Sequence, residues 1–277
     1  MFNNPPKIFA HITALKNGNF VLPEYILNPS GSEVNLFHRY CPHRMYPLHS
    51  TGEHVKEISC KFHNFKWNED GTPINNTKKL HCGNANIGKS GLIFKNFIEP
   101  NHKWVDILAN ETDLEYSHTC QGASKGSWLW MLEIQADLFH IRKGGVHPGL
   151  SEETNLDEVT LDQGNGWVIQ YCSTGFWLVV YPYTFVEWSL GCLAVNYTTP
   201  NDTNNEFGFT WNTQFYYSPQ TSEEKRRQFE TLEDVFREDV GVIEKQKGQY
   251  FPLMKSVSPL EDHCVHFGKW VKENLTK

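Results

Sequence analysis

Residues 38–67 read HRYCPHRMYPLHSTGEHVKEISCKFHNFKW, and this stretch decides the architecture of the N-terminal part of the chain. It contains Cys41-Pro-His43 and, sixteen residues further on, Cys60-Lys-Phe-His63. Each motif brings one thiol and one imidazole together within a single short turn. Thiolates and neutral imidazoles are protein ligands of both iron and zinc. The stretch therefore predicts a metal centre held by two loops, each of which supplies one cysteine and one histidine.

Mixed ligation by two cysteines and two histidines is typical of a Rieske-type [2Fe–2S] cluster, in which two thiolates hold one iron and two imidazoles hold the other. A zinc site with the same four ligands is the alternative, and chance spacing is another. Zinc fingers usually pair Cys with Cys and His with His along the chain, which this order does not. The sequence therefore favours the cluster, with Cys41, His43, Cys60 and His63 as its predicted ligands.

The surrounding sequence predicts two domains. Residues 1–100 consist of short strand-like segments separated by turns, and Glu99-Pro100-Asn101 marks the predicted boundary. In residues 101–277 the pattern predicts a helix, an antiparallel sheet of several strands and two further helices. These elements are expected over residues 127–141, 166–217, 222–247 and 259–275. The predicted fold class is α+β, with an all-β domain first and a sheet-and-helix domain second.

A second metal site is predicted in the long C-terminal part. Glu133, Asp137 and His140 are spaced four and three residues apart, so they are expected on one face of the predicted helix. His147 follows shortly after Gly144-Gly145, where the helix is expected to break. Two histidines and one carboxylate on one side of an iron leave open positions for O₂ and substrate. This donor set is typical of non-haem Fe(II) oxygenases.

The carboxylate of that set is sought in the predicted helix 222–247. Asp239 falls in the middle of an apolar stripe, where a lone charge costs several kcal/mol. A bound metal ion would remove that cost, whereas a buried arginine partner or a capping role is the alternative explanation. Glu238 is the alternative ligand, although it falls outside the stripe. The apolar members of the stripe are Phe229, Leu232, Phe236 and Ile243.

Charge and hydropathy exclude several other classes of protein. The net charge is −7, and the only short basic cluster, Lys225-Arg226-Arg227, adjoins two glutamates, so no nucleic-acid partner is expected. No apolar run approaches the ~20 residues of a membrane span, and the N-terminus does not read as a secretory signal. We therefore expect a cytoplasmic protein without a membrane partner.

These motifs resemble the large, oxygenase subunit of Rieske non-haem iron oxygenases, a family of aromatic-ring-hydroxylating enzymes and quaternary-amine monooxygenases. The resemblance covers nearly the whole chain. It rests on CPHR and CKFHNFKWNEDG from residues 41 and 60, on Asp137-Leu-Phe-His140 followed by His147-Pro, and on Glu238-Asp239-Val-Gly-Val-Ile-Glu. Residues 261–267, EDHCVHF, resemble the closing helix.

The resemblance implies a helix-grip second domain, one [2Fe–2S] cluster and one Fe(II) per chain, and a homotrimer. It implies that His140, His147 and Asp239 hold the mononuclear iron. Asp137 corresponds to the bridging aspartate, a catalytic residue that joins an iron histidine to a cluster histidine of the neighbouring subunit. The cluster residue would be His43 or His63.

The implied function is the oxygenase component of a two- or three-part system. A separate reductase, with or without a ferredoxin, would supply electrons, and O₂ would be used to hydroxylate or oxidatively demethylate a small organic substrate. Aromatic compounds and quaternary or methylated amines both stay open. Alternation along the strands is expected to turn about half of the aromatic side chains of the sheet towards the pocket, and ordinary core packing is the alternative for each of them. The candidates are Trp167, Trp177, Tyr181, Tyr183, Trp188, Trp211 and Tyr216.

Two other functions remain as alternatives. Six residues separate His140 from His147, where the family usually has four or five. A Rieske electron carrier without a working mononuclear iron is therefore the second hypothesis. A zinc-stabilised binding module is the third.

Overall fold

The structure is a computed structural model that describes residues 6–80, 82–142, 145–147, 155–189, 191–200, 208–246, 250 and 252–275. The chain forms two compact units. Ile8–Thr119 is one, and Cys120–Lys277 together with Met1–Lys7 is the other. The predicted boundary near residue 100 follows the last strand of the first unit, and a helix, α1 (Lys103–Ala109), also belongs to that unit.

The first unit is built around a seven-stranded sheet in the order β1-β9-β8-β4-β3-β2-β5. A separate hairpin, β6-β7, completes it. The strands are β1 (Lys7–His11), β2 (Asn19–Val21), β3 (Tyr25–Ser30), β4 (Glu33–His38), β5 (His54–Val55), β6 (Ile58–Cys60), β7 (Phe65–Trp67), β8 (Cys82–Ile87) and β9 (Leu92–Lys95).

The core of the first unit reaches the predicted cluster loops. Val21, Ile26 and Phe37 from the large sheet pack in one apolar cluster with Ile58 and Trp67 from the hairpin. Cys41 and Cys60 belong to the same buried cluster, each with a relative exposure of 1%. The predicted all-β character is confirmed, and the two predicted cysteine ligands lie at the edge of the core.

The second unit contains a seven-stranded antiparallel sheet in the order β10-β16-β15-β14-β13-β12-β11. Consecutive strands from β11 to β16 are neighbours, so this part is a simple meander. The predicted antiparallel sheet is confirmed. The strands are β10 (Glu115–Ser124), β11 (Thr160–Gly164), β12 (Trp167–Tyr171), β13 (Gly175–Val180), β14 (Thr184–Ser189), β15 (Cys192–Pro200) and β16 (Phe209–Tyr217).

Four helices accompany this sheet in the described residues: α2 (Trp128–Ala136), α3 (Glu223–Glu230), α4 (Leu232–Ile243) and α5 (Asp262–Leu275). Helix α2 is buried on two sides. Leu132 packs with the sheet and α5, while Met131 packs with Phe236 of α4. Because α2 is buried on two sides, apolar residues occupy both sides and the helix has no amphipathic pattern.

Two predicted helices differ from the structure. The first was expected over 127–141, but α2 ends at Ala136, and Asp137 has an extended backbone before a 3-10 turn over Phe139–Ile141. The helix expected over 222–247 is two helices that meet at Thr231. Ser222 caps α3 by accepting from the N–H of Lys225. The hydroxyl of the preceding residue, Thr221, donates to the carbonyl of Gly191.

The last helix begins one turn later than expected. A 3-10 turn over Pro259–Glu261 precedes α5, whereas the sequence predicted one helix over 259–275. Within the described residues, no helix has the length and apolar character needed to cross a bilayer.

Candidate metal centres

Two tight loops present the predicted cluster ligands. The first loop is closed by a β-bridge between Tyr40 and Pro47, and the N–H of Cys41 donates to the carbonyl of Tyr46 at 2.8 Å. Met45 in this loop has a φ of 54°. The second loop joins β6 to β7, between the paired residues Cys60 and Phe65. These contacts set the direction in which each loop presents its side chains.

The four predicted ligands are grouped as two like pairs. The thiols of Cys41 and Cys60 lie within hydrogen-bonding reach of each other. The Nδ1 atoms of His43 and His63 are 3.2 Å apart. This arrangement matches a two-iron cluster, since one iron takes the two thiolates and the other takes the two imidazoles.

The same grouping argues against the zinc alternative. A tetrahedral zinc ion would draw all four ligand atoms towards one point. Among the described residues, the only group of three or more possible ligand atoms within 4.8 Å of one another is found elsewhere in the chain. The pairs of thiols and imidazoles therefore fit two irons better than one zinc.

The cysteine side and the histidine side of this centre have different surroundings. Burial raises the pKa of Cys41, although backbone N–H groups of His43 and Arg44 that point at its sulfur work in the opposite direction. The histidines lie at the surface. Beside them Tyr46 and Phe62 stack with ring centroids 5.6 Å apart, and both rings are exposed to solvent. The centre thus has a buried sulfur side and an accessible imidazole side.

The second predicted site brings together His140, His147 and Asp239, one ligand atom of each lying within 4.8 Å of the others. Oδ1 of Asp239 is 2.7 Å from Nε2 of His147 and 3.7 Å from Nε2 of His140. His147 and Asp239 are buried, and His140 is nearly so. Three converging donors of this kind could hold one non-haem iron and leave open positions.

The local backbone explains how two histidines six residues apart converge. The carboxylate of Asp137 accepts from the N–H of Phe139 at 2.7 Å, which starts the 3-10 turn that carries His140. The N–H of Val146 then donates to the carbonyl of His140 at 3.0 Å, so the chain folds back on itself. A Cβ on Gly145 would lie 1.9 Å from that carbonyl oxygen, so only glycine fits. Gly144 lies outside the described residues.

Glu238 orients a histidine from the far side of this site. Its Oε2 atom lies 2.6 Å from Nδ1 of His147, which leaves Nε2 of the same ring facing Asp239. Burial disfavours the charged form of His147, yet the adjacent carboxylates of Asp239 and Glu238 raise its pKa overall. Glu238, the alternative ligand from the sequence, thus lies outside the group of converging atoms.

Asp137 and Glu133 occupy different environments. Oδ2 of Asp137 is 3.7 Å from Nδ1 of His140, and burial raises the pKa of Asp137 to about 6. Glu133 accepts a hydrogen bond from Tyr250 in the core, and burial raises its pKa to about 7. The expectation that Glu133 shares one helix face with Asp137 and His140 is wrong, because α2 ends at Ala136.

A cavity of about 100 Å³ opens beside these residues. Two cross-strand rows of side chains from the sheet form one side of it. The first row is Gln170, Trp177, Glu187 and Ala194, and the second is Phe185, Asn196 and Thr213. Facing them are His140, His147, Asp239 and Asp137, together with side chains of α2 and α4 that include Gln135, Glu233 and Phe236.

The sequence identified only part of this cavity. Of the seven aromatic residues proposed for it, Trp177 is among the described lining residues. Tyr181 instead packs with Phe267 and Trp270, and Trp211 packs with Phe236. The buried polar residues Gln135 and Glu187 were not singled out. A signal for Glu187 does exist, because it is the one charge within the apolar strand TFVEWS.

Comparison with known proteins finds a matching domain and similar sequences. Residues 13–84 match the Rieske [2Fe-2S] domain. The carnitine monooxygenase oxygenase subunit of Escherichia coli (strain K12) is 22% identical over 293 aligned positions, which cover 86% of this chain and 76% of that protein.

Solved structures have the same fold. The quaternary ammonium Rieske monooxygenase CntA, in complex with its substrate L-carnitine, superposes with a TM-score of 0.74 at 18% identity, over 98% of this chain and 88% of that one. NdmA of Pseudomonas putida CBB5 gives a TM-score of 0.53 at 19% identity, over 97% of this chain and 89% of that one.

The chain is thus similar over most of its length to the oxygenase subunit of a Rieske monooxygenase, and it has the fold of such enzymes. These similarities support the predicted [2Fe–2S] cluster and mononuclear iron of an oxidoreductase.

Proposed function

We propose that this oxygenase hydroxylates or oxidatively demethylates a quaternary ammonium or N-methylated compound. Cys41, His43, Cys60 and His63 hold the cluster in this proposal, and His140, His147 and Asp239 hold Fe(II). The observation that carries the second assignment is the convergence of three ligand atoms within 4.8 Å at the wall of a cavity.

The reaction balances with two electrons from the reductase. Substrate C–H, O₂, two electrons and two protons give C–OH and water. Where the carbon is an N-methyl group, the resulting N–CH₂OH unit breaks its C–N bond and releases formaldehyde and the demethylated nitrogen. When bound, the mononuclear iron activates O₂, and the cluster supplies electrons one at a time.

The protein residues hold the reacting groups in place. Glu238 accepts the Nδ1–H of His147, which fixes the ring so that Nε2 faces the metal position. Burial lowers the pKa of His140, so the ring is kept in the neutral form that a metal needs. The apolar lining from Leu138, Phe185 and Phe236 keeps bulk water from the reacting carbon.

Asp137 is proposed to carry the electron path. It lies next to His140, and its raised pKa of about 6 lets it exchange a proton near neutral pH. In the proposed trimer, the carboxylate of Asp137 would bond a cluster histidine, His43 or His63, of a neighbouring subunit. A ferredoxin between the reductase and this cluster is part of the same proposal.

The substrate class is inferred from the relatives and the cavity. The names of the similar proteins include a carnitine monooxygenase subunit and a quaternary ammonium monooxygenase. The cavity offers aromatic faces from Trp177 and Phe185, which attract cationic nitrogen. The electron-carrier hypothesis rested on the long interval between His140 and His147, and their convergence with Asp239 supports the oxygenase instead.

Iron and acid-labile sulfide per chain test the proposal on anaerobically purified protein. Three irons and two sulfides are expected in the native protein. Asp239→Ala should lose one iron and keep both sulfides, whereas Asp234→Ala, an exposed position on the same helix, should keep all three irons. Formaldehyde release from methylated amines, with a reductase present, then tests the reaction. Two irons per chain in the native protein would contradict the mononuclear iron site and support the electron-carrier hypothesis.

A further inference from the structure

We propose that Glu187 is the counter-charge that selects a cationic substrate in the cavity beside the iron site. Glu187 would be a specificity-determining residue that takes the positively charged, methylated nitrogen of the molecule being oxidised. This inference rests on the proposed function in one respect, which is that the bound cation is the substrate.

The position of Glu187 in the sheet aims its carboxylate into the cavity. On one side it is paired with Trp177 of β13, and on the other with Ala194 of β15. All three side chains line the cavity. The indole N–H of Trp177 donates to the carboxylate, while the small side chain of Ala194 leaves room beside it. The carboxylate of Glu187 therefore interacts with Trp177 on one side, and on the side of Ala194 it faces the cavity.

The second oxygen of this carboxylate has no partner. Glu187 is buried, with 6% relative exposure, and Oε2 makes no hydrogen bond to any described residue. A buried charged carboxylate without a counter-ion is costly, and burial raises the pKa of Glu187 to about 8. A cation at the open side removes this cost, so the free energy of binding favours positively charged ligands.

The other charges around the cavity point the same way. Four carboxylates line it, and no lysine or arginine is among the described lining residues. Two of the four, Asp137 and Asp239, adjoin the iron histidines. Oε1 of Glu233 accepts from Trp211 at 2.9 Å and lies 3.7 Å from Arg237, so this carboxylate has a cationic neighbour although its Oε2, like that of Glu187, makes no hydrogen bond. Among the described lining residues, Glu187 is the carboxylate with neither a basic side chain nor an iron histidine paired to it.

The surroundings favour a methylated nitrogen over a primary ammonium. Phe185 lies two residues before Glu187 on β14, so it faces the same cavity, and Trp177 lies on the neighbouring strand. A quaternary nitrogen spreads its charge over methyl groups and donates no hydrogen bonds, so it needs a nearby anion and aromatic faces rather than several acceptors. Glu187, Trp177 and Phe185 offer that combination.

The test compares two probes of nearly the same shape. Choline carries a trimethylammonium group, and 3,3-dimethylbutan-1-ol replaces its nitrogen with uncharged carbon. Isothermal titration calorimetry on iron-loaded protein, without O₂ or reductant, measures both affinities. The native protein is expected to bind choline at least about tenfold more tightly than the alcohol, and Glu187→Gln is expected to reduce this ratio to about twofold or less.

Glu233→Gln is the matched control, because it makes the same change in a cavity carboxylate that already has partners. It should keep the preference for choline. Glu187→Asp retains the charge and should also keep a preference, which provides a second variant if Glu187→Gln does not fold. Equal affinities of the native protein for choline and the alcohol would overturn the proposal. It would also be overturned if Glu233→Gln lost the preference for choline while Glu187→Gln kept it.

This experiment separates the inference from the proposed function. Turnover of an uncharged N-methylated compound, without any preference for choline over the alcohol, would leave the proposed function standing and remove the role of Glu187. A clear preference for choline in a protein with only two irons would support the role of Glu187 and contradict the proposed oxygenase function.

Discussion

Oε2 of Glu238 lies 2.6 Å from Nδ1 of His147, while Asp239, the next residue along α4, lies 2.7 Å from Nε2 of the same ring. One helix therefore supplies both a candidate ligand and the residue that orients another. Carboxylate contacts of this kind hold the tautomer of a ligating histidine and raise its basicity.

Glu238→Gln should weaken the binding of mononuclear iron by about 10- to 100-fold while the cluster stays intact. The reason is that the amide no longer provides a charged acceptor for His147. Titration of iron into protein whose mononuclear iron has been removed measures the change. Glu244→Gln, at the end of the same helix, is the control, and equal weakening in both variants would contradict the orienting role.

Gly145→Ala should remove the mononuclear iron without removing the sulfide. The added Cβ would lie 1.9 Å from the carbonyl oxygen of His140, so the fold-back that delivers His147 cannot form. Gly241→Ala is the control. It lies on α4 two residues after Asp239, a Cβ there meets nothing within 4 Å, and alanine stabilises a helix by about 0.5–1 kcal/mol relative to glycine. Full iron content in Gly145→Ala would contradict the described turn.

Cys60→Ser should remove all acid-labile sulfide, because the thiolate pair with Cys41 is the proposed anchor of one cluster iron. Sulfide analysis and the EPR spectrum of the reduced protein measure the loss. Cys192→Ser, a buried cysteine of the second unit, should leave the cluster signal unchanged. A persistent rhombic signal in Cys60→Ser would move the cluster assignment to other residues.

The pH dependence of stability should change in Glu187→Gln. The pKa of Glu187 rises from an ordinary 4.5 to about 8 on folding, so between these values the folded state binds more protons than the unfolded chain. The free energy of unfolding therefore falls as pH rises through this window, and glutamine removes that contribution. Melting temperatures at pH 5 and pH 8 measure it.

The melting temperature of Glu187→Gln, relative to that of the native protein, should be higher at pH 8 than at pH 5. The other buried acids, such as Glu133 and Asp137, are present in both proteins, so their titration cancels in the comparison. Parallel curves for the two proteins would show that Glu187 does not titrate in this range.

The sequence singled out residues that the structure brings together, but it did not predict the backbone that carries them. Asp239 could be found because a charge inside an apolar stripe needs an explanation, and the structure buries it as that stripe requires. The end of α2 could not be found, because apolar residues such as Leu138 and Ile141 continue past Ala136, while the side chain of Asp137 accepts from a backbone N–H further along the chain. A side chain that competes with the helix for backbone N–H groups in this way cannot be detected from the spacing of apolar residues.

The cavity escaped prediction for another reason. Its lining is assembled from cross-strand neighbours, such as Trp177 beside Glu187, and strand register is fixed by the whole sheet rather than by any one segment. Expectations about the aromatic residues failed for the same reason, since alternation alone does not say which face of the sheet meets the iron site.

The two cross-strand rows of the sheet are structurally separate from the candidate iron ligands, which come from a turn after α2 and from α4. The residues that would contact the substrate and the residues that would bind the metal therefore come from different elements of the same unit. Replacing Ala194 or Phe185 alters the shape offered to a guest molecule without moving a metal-binding atom, so the architecture lends itself to diversification of substrates around one unchanged reaction.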